Sequence, residues 1–83
     1  MTDLHGHWAV LETRLLGLLA GFATLPTSDT DNIRHYIDHN EFGLAFEMLV
    51  DAIVEHGLQP DNAQQVALIS VANSMGIEAP NLI

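Results

Sequence analysis

The chain has 83 residues, of which 48% are hydrophobic and none is cysteine. This length predicts a single domain, residues 1–83, and the missing thiols exclude disulfides, cysteine nucleophiles and cysteine-ligated zinc or iron–sulfur sites. Eleven acidic residues against two arginines, Arg14 and Arg34, give a formal net charge of −9, which argues against direct binding to nucleic acid or to an anionic membrane.

An apolar run at residues 15–23 is the one candidate for a targeting or membrane segment. It is shorter than the about 20 residues that span a bilayer. Asp3, Glu12 and Arg14, which precede it, do not form the basic region of a signal peptide. The sequence therefore predicts a cytoplasmic protein.

The first predicted helix spans about residues 3–21. Its apolar residues recur at spacings of three and four, as on one face of an α-helix. They are Trp8, Leu11, Leu15, Leu18, Leu19 and Phe22. Pro26 closes the connection that follows.

The second predicted helix is short, about residues 29–39. Ile33, Tyr36 and Ile37 are expected to face inward. Ser28 or Asp29 is the expected N-cap, because a short polar side chain can accept from the free amides of the first turn.

The third predicted helix spans about residues 41–56 and ends at Gly57, a typical C′ residue. Its apolar stripe is so wide that the helix is expected to be largely surrounded. The stripe comprises Phe42, Leu44, Ala45, Phe46, Met48, Leu49, Val50, Ala52, Ile53 and Val54.

The fourth predicted helix begins at Asp61 or Asn62, runs to about Met75 and ends at Gly76. Its expected apolar side consists of Val66, Leu68, Ile69, Ala72 and Met75. Residues 80–83 are expected to form a tail after this helix. Four helices with short connections predict an all-α fold, a small compact bundle that is either antiparallel or orthogonal.

Acidic side chains lie at regular spacing on the third helix. Glu47, Asp51 and Glu55 are four residues apart, so each lies about 5–6 Å from the next, and no base within the helix offsets them. An ordinary solvated face remains one interpretation. A surface that interleaves both signs is the usual arrangement, however, so a row of one sign favours a partner that supplies cations.

Other candidate partner-binding residues surround the second helix. Asp38 and Glu41 flank its end, while Asp29 and Asp31 near its start have a competing role as cap and first-turn residues. Tyr36 is a candidate anchor for a partner, with a place at the edge of the core as the alternative.

The histidines and polar residues do not form a recognisable catalytic or metal motif. His35 and His39 are four residues apart, but zinc needs further ligands that nothing in the sequence places. His39-Asn40-Glu41 matches the first half of a zinc-deaminase signature without its cysteine pair. We therefore expect no enzymatic activity, no cofactor and no metal.

One segment resembles a known family. Residues 33–51 and the later residues 67–77 are similar to the MafI-type immunity proteins, small helical antidotes encoded beside polymorphic toxins of Gram-negative bacteria. The octet that carries the resemblance is Asp38-His39-Asn40-Glu41-Phe42-Gly43-Leu44-Ala45, followed by Leu49-Val50-Asp51-Ala52.

This resemblance implies an antitoxin of a contact-dependent toxin system, which neutralises one cognate toxin domain by binding it. The expected form is a monomer in a 1:1 complex with the toxin domain. Toxins of such systems are often nucleases, whose active sites must be basic to hold phosphates. By family analogy, an RNA-cleaving toxin is the first expectation.

Two alternatives come from other functional classes. An acyl carrier protein is also acidic, helical and of this length, and Ser28 lies near the start of the second helix, where such carriers hold their phosphopantetheine arm. Thr27-Ser28-Asp29 lacks the Asp-Ser-Leu order of those carriers. The other alternative is an acidic helical adaptor that binds a basic helix of a partner.

Overall fold

The computed structural model describes residues 4–78, with side chains from residue 8 onward, and within this range it contains four α-helices and no strand. The helices are α1 (Leu4–Ala20), α2 (Thr27–Asp38), α3 (Phe42–Glu55) and α4 (Asn62–Ser74). The predicted all-α class and the four predicted helices are confirmed. Asp3, the predicted start of the first helix, and the tail at 80–83 lie outside the described residues.

Three helices end in the same kind of turn. Asn40, Gly57 and Gly76 have φ angles of 59°, 64° and 69°, the left-handed region that glycine and asparagine enter most readily. In each turn the next amide donates to the carbonyl five residues back: Glu41 to Tyr36, Leu58 to Ile53 and Ile77 to Ala72, each at 2.9 Å. The predicted stops at these three positions are confirmed.

The predicted cap of α2 is wrong. The helix begins at Thr27, and Pro26 occupies the N-cap position with no side-chain cap. The carbonyl of Pro26 accepts from the amides of Asp29 and Thr30, at 3.0 and 3.1 Å. Because the helix starts two residues earlier than predicted, Ser28 and Asp29 lie within its first turn.

The predicted start of α4 is confirmed by a capping box. Asp61 Oδ1 accepts from the Gln64 amide at 2.8 Å, and Gln64 Oε1 accepts from the Asp61 amide at 2.9 Å. Gln64 Nε2 also donates to the Gly21 carbonyl at 3.0 Å. The first turn of α4 is therefore attached to the end of α1.

The helices pack around one apolar core. α1 contacts all three other helices, α2 packs closely on α3, and α4 packs chiefly on α1. Across the residues whose side chains are described, no buried side chain is polar or charged. The buried hydrophobic residues are Leu11, Leu15, Leu18, Leu19, Phe22, Leu25, Ile33, Ile37, Phe42, Ala45, Phe46, Leu49, Ala52, Ile53, Leu68, Val71 and Ala72.

Two pairs of helices run antiparallel. Arg14 in the middle of α1 meets Ser70 and Ser74 late in α4, whereas Gly21 after α1 meets Gln64 early in α4. The first turn of α2 likewise meets the residue that follows α3, through Asp29 and His56. No helix in the described range is long and apolar enough to cross a bilayer.

Several apolar residues predicted to face inward are exposed instead. Val54 on α3 is 64% exposed and Val66 on α4 is 66% exposed, and Trp8, Leu44 and Ile69 are also exposed. α3 is therefore not surrounded as predicted, since α4 packs chiefly on α1 and leaves the outer side of α3 open. On α4, Val66 lies about 200° around the helix from the buried Leu68.

Candidate protein-interaction surface

The outer side of α3 carries Glu47, Asp51 and Glu55, which we call the acidic row. All three side chains are exposed. Asp51 lies about 200° around the helix from the fully buried Leu49, so the row points away from the core. The pattern that buries one side of α3 thus places all three carboxylates on the other side.

The part of the chain that the structure describes places no counter-charge beside the acidic row. Within residues 8–78, no arginine or histidine nitrogen lies within 4 Å of a carboxylate of the row. Like charges at this spacing destabilise a helix by roughly 0.2–0.5 kcal/mol per pair. Glu55 adds a further unfavourable term, because it lies in the last turn of α3, where the helix dipole is negative.

The other predicted acids do not join the row as one cluster. Asp38 and Glu41 are exposed on either side of the α2–α3 turn. Asp29 lies at the opposite end of α2, nine residues or about 13.5 Å from Asp38 along the helix axis. Asp31 is exposed in between, and its predicted role as a cap or first-turn residue is wrong, because α2 begins at Thr27 and its first turn holds only Asp29 among the acids. The acids are therefore spread along α2 and α3.

Asp29 has a partner within the chain. Its Oδ2 lies 2.8 Å from Nε2 of His56, and both side chains are 34% exposed. The predicted first-turn role of Asp29 is confirmed, but its carboxylate also connects α2 to the end of α3. Sequence reasoning missed this contact, because the two residues are 27 positions apart and no local pattern relates them.

Tyr36 is half-buried and packs against the core, as in the core-edge alternative. Its ring meets the ring of His35 edge-on, with centroids 5.7 Å apart. The rings of His35 and His39 are also close, with centroids 4.2 Å apart, and Nδ1 of His39 lies 2.8 Å from the His35 carbonyl. In the described part of the chain, no three histidine or acidic side chains are grouped to hold a metal ion.

A cleft with a mixed apolar and acidic lining lies beside the acidic row. It has a volume of about 270 Å³ and is lined by Phe46, Glu47, Val50, Asp51, Ile77 and Glu78. Three apolar side chains and three carboxylates suit a long cationic side chain, whose methylene groups pack on apolar surface while its charged end reaches the acids.

Ile77 and Glu78 were not among the predicted site residues. The left-handed turn at Gly76 directs the chain back toward α3, where Ile77 Cδ1 lies 3.8 Å from the position that a Cβ on Gly43 would occupy. Gly76 was the available signal, because a helix stop of this kind commonly brings a following hydrophobic residue back onto the structure.

The chain was compared with protein-family models, with curated proteins and with solved structures, and none of them matches. Since the described interior holds no buried polar or charged side chain, the chemistry of the described residues lies at the surface.

Proposed function

We propose that this protein is an immunity protein that neutralises a basic toxin domain by covering the substrate site of the toxin with the acidic row. The observation that carries this proposal is the row itself: three exposed carboxylates on one side of α3, with no cation of the described chain within 4 Å. A partner that supplies the missing cations explains this surface better than solvation alone.

The acidic row destabilises the helix that carries it. Glu47, Asp51 and Glu55 destabilise α3 by repulsion, and one base among them would remove most of that cost. A helix that serves only the fold gains nothing from such a row. A helix that binds a cationic surface gains attraction across the interface and faster association.

The resemblance to immunity proteins supports the same surface. Its octet, Asp38 to Ala45, covers the last residue of α2, the turn at Asn40 and the first turn of α3. The acidic row begins two residues later, so the segment that resembles the family leads directly into the proposed binding surface. A nuclease is the expected target, because its active site must attract phosphates with basic residues.

Capture of the partner tests the proposal. The tagged protein is incubated with the cytoplasm of its own cell, and bound proteins are identified by mass spectrometry. We expect a basic toxin domain, encoded next to this chain, that stops growth when expressed alone and is harmless when co-expressed. An RNA-cleavage assay with the purified domain should show complete inhibition at one equivalent.

Charge-matched variants locate the surface. Glu47→Gln with Asp51→Asn neutralises two acids of the row, while Glu12→Gln with Asp61→Asn removes the same charge elsewhere. The row variant should bind the toxin at least about tenfold more weakly than the original chain does. High salt should remove most of this difference in affinity, because salt screens the charges of the row. The control should change the affinity for the toxin by less than about threefold.

Three outcomes contradict the proposal. Equal losses in both variants would mean that net charge, and not the row, governs binding. A phosphopantetheine group on Ser28, together with capture of acyl-chain synthesis enzymes, would establish the carrier alternative. Capture of a non-toxic regulatory protein would establish the adaptor alternative.

A further inference from the structure

The charges of this protein are segregated between its helices. α4 contains no charged residue, and α1 contains one acid and one base, Glu12 and Arg14. Eight acids and one base lie between residues 29 and 61. The surface formed by α1 and α4 is therefore nearly neutral, although the whole chain carries a net charge of −9.

A groove runs along this neutral surface between α1 and α4. It has a volume of about 410 Å³, and small residues such as Gly17, Gly21, Ala63 and Ala67 line much of it. Nothing lies within 4 Å of the position that a Cβ on Gly17 would occupy. The groove is thus open to a side chain from outside.

Exposed apolar residues border the groove. Val66 and Ile69 are exposed on α4 and line a second cleft, which shares Ser70 with the groove. Val10 on α1 lies one helical turn before Arg14 and is 50% exposed. Such residues are common singly on a surface, but here they adjoin an open groove in a region without net charge. A partner recognised by its net charge alone has no reason to bind here.

The two charged residues of the groove lie at its opposite ends. Arg14 is near Ser70 and Ser74, with Nη1 3.4 and 3.3 Å from their hydroxyl oxygens, while Asp61 precedes α4 near Gly21. Arg14 and Gly21 are seven residues apart, or about 10.5 Å along the helix. A two-fold axis through the middle of the groove would place Arg14 of one copy opposite Asp61 of the other, twice.

We infer that the α1–α4 face binds a second copy of this chain. A stable interface needs about 800 Å² from each copy, or about 15% of the 5272 Å² of accessible surface. Two copies with this much negative charge repel each other, so contact through the neutral face is favoured. The α1 and α4 helices of both copies then form a four-helix layer, with each acidic row left open for a toxin domain.

Sedimentation of the purified full chain tests this inference without any toxin, so its result is independent of the proposed function. As the protein concentration increases from about 1 to 500 µM, the average mass in solution should rise from 9.1 kDa toward twice that value. A chain that remains monomeric throughout this range would overturn the inference.

Two valines of nearly equal exposure locate the interface. Val66→Asp places a charge on the α1–α4 face and should raise the dimer dissociation constant at least about tenfold. Val54→Asp places the same charge on α3 and should leave the dimer dissociation constant nearly unchanged. Helix content by circular dichroism verifies that both variants fold. Equal effects of the two changes would overturn the assignment to this face.

A mixing experiment tests the two-fold pairing. Arg14→Glu alone and Asp61→Lys alone each place like charges opposite one another in a dimer of identical copies. A mixture of the two variants restores both opposite-charge pairs, so we expect it to associate about tenfold more tightly than either variant alone. A mixture that associates no better than its components would overturn the pairing.

Discussion

His56 Nε2 lies 2.8 Å from Asp29 Oδ2, which joins the residue after α3 to the first turn of α2. Each residue is also placed favourably with respect to its own helix. An acid suits the positive N-terminal end of α2, and a histidine suits the negative C-terminal end of α3 when it is protonated. The contact fixes two antiparallel helices at one end.

We expect this contact to stabilise the fold modestly, because both side chains are 34% exposed. His56→Ala and Asp29→Asn should each lower the free energy of unfolding by up to about 1 kcal/mol, and the double variant by less than the sum. Urea denaturation of the original chain, the two single variants and the double variant measures the coupling between the two side chains. Strictly additive losses would mean that the two side chains do not interact in solution.

Replacement of two glycines should affect stability in opposite directions. Gly57→Ala should destabilise by about 1–2 kcal/mol, because φ is +64° and an L side chain is strained there although space is available. Gly17→Ala should stabilise by about 0.5–1 kcal/mol, because it lies inside α1 with space for a methyl group. Urea denaturation at low protein concentration measures both, and a loss at Gly17 would contradict the open groove.

The helix boundaries were predictable because their signals are local. Asn40, Gly57 and Gly76 end helices through the backbone conformation of one residue, and Asp61 begins α4 through a partner three residues away. The start of α2 was predicted two residues too late, because two local signals compete there: the polar side chains of Ser28 and Asp29, and the backbone at Pro26. The first turn begins at Pro26, and no side chain caps it.

The packing of each helix was less predictable, because periodicity identifies an apolar side without saying how much of it a neighbour covers. Val54 and Val66 belong to apolar patterns, yet the arrangement of α4 on α1 leaves both exposed. The acidic row could be predicted from the spacing of its residues in the sequence alone. The contact of Asp29 with His56 and the position of Glu78 beside the row both depend on tertiary structure.

The capping box of α4 provides a third prediction. Asp61→Ala should lower the free energy of unfolding by about 1 kcal/mol, since the amide of Gln64 loses its acceptor. Asp61→Asn keeps an acceptor and should cost less than half as much. Calorimetry checks this, with a loss of 1 kcal/mol corresponding to roughly 4–8 °C in Tm for a domain of this size. Equal losses would mean that the charge of Asp61, and not its hydrogen bond, stabilises the helix.

Asp51→Asn should make the protein more stable and its binding weaker. Asp51 is the middle member of the acidic row, so its neutralisation removes both repulsive pairs while keeping nearly the same shape. At roughly 0.2–0.5 kcal/mol per pair, we expect a gain of about 0.4–1 kcal/mol at low salt. Added salt should reduce this gain, because it screens the repulsion in the original chain.

Glu12→Gln on α1 is the matched control for this last prediction, because no acid lies three or four residues from Glu12 on its helix. It removes the same charge and should change stability little. If Asp51→Asn gains no stability over this control at low salt, the acids of the row do not repel one another, and the row has no energetic cost that a cationic partner would explain. If stability rises while toxin binding is unchanged, the repulsion is real but the row lies outside the interface. A gain in stability together with a loss of binding is the combination expected of a surface kept for a partner at the expense of its own helix.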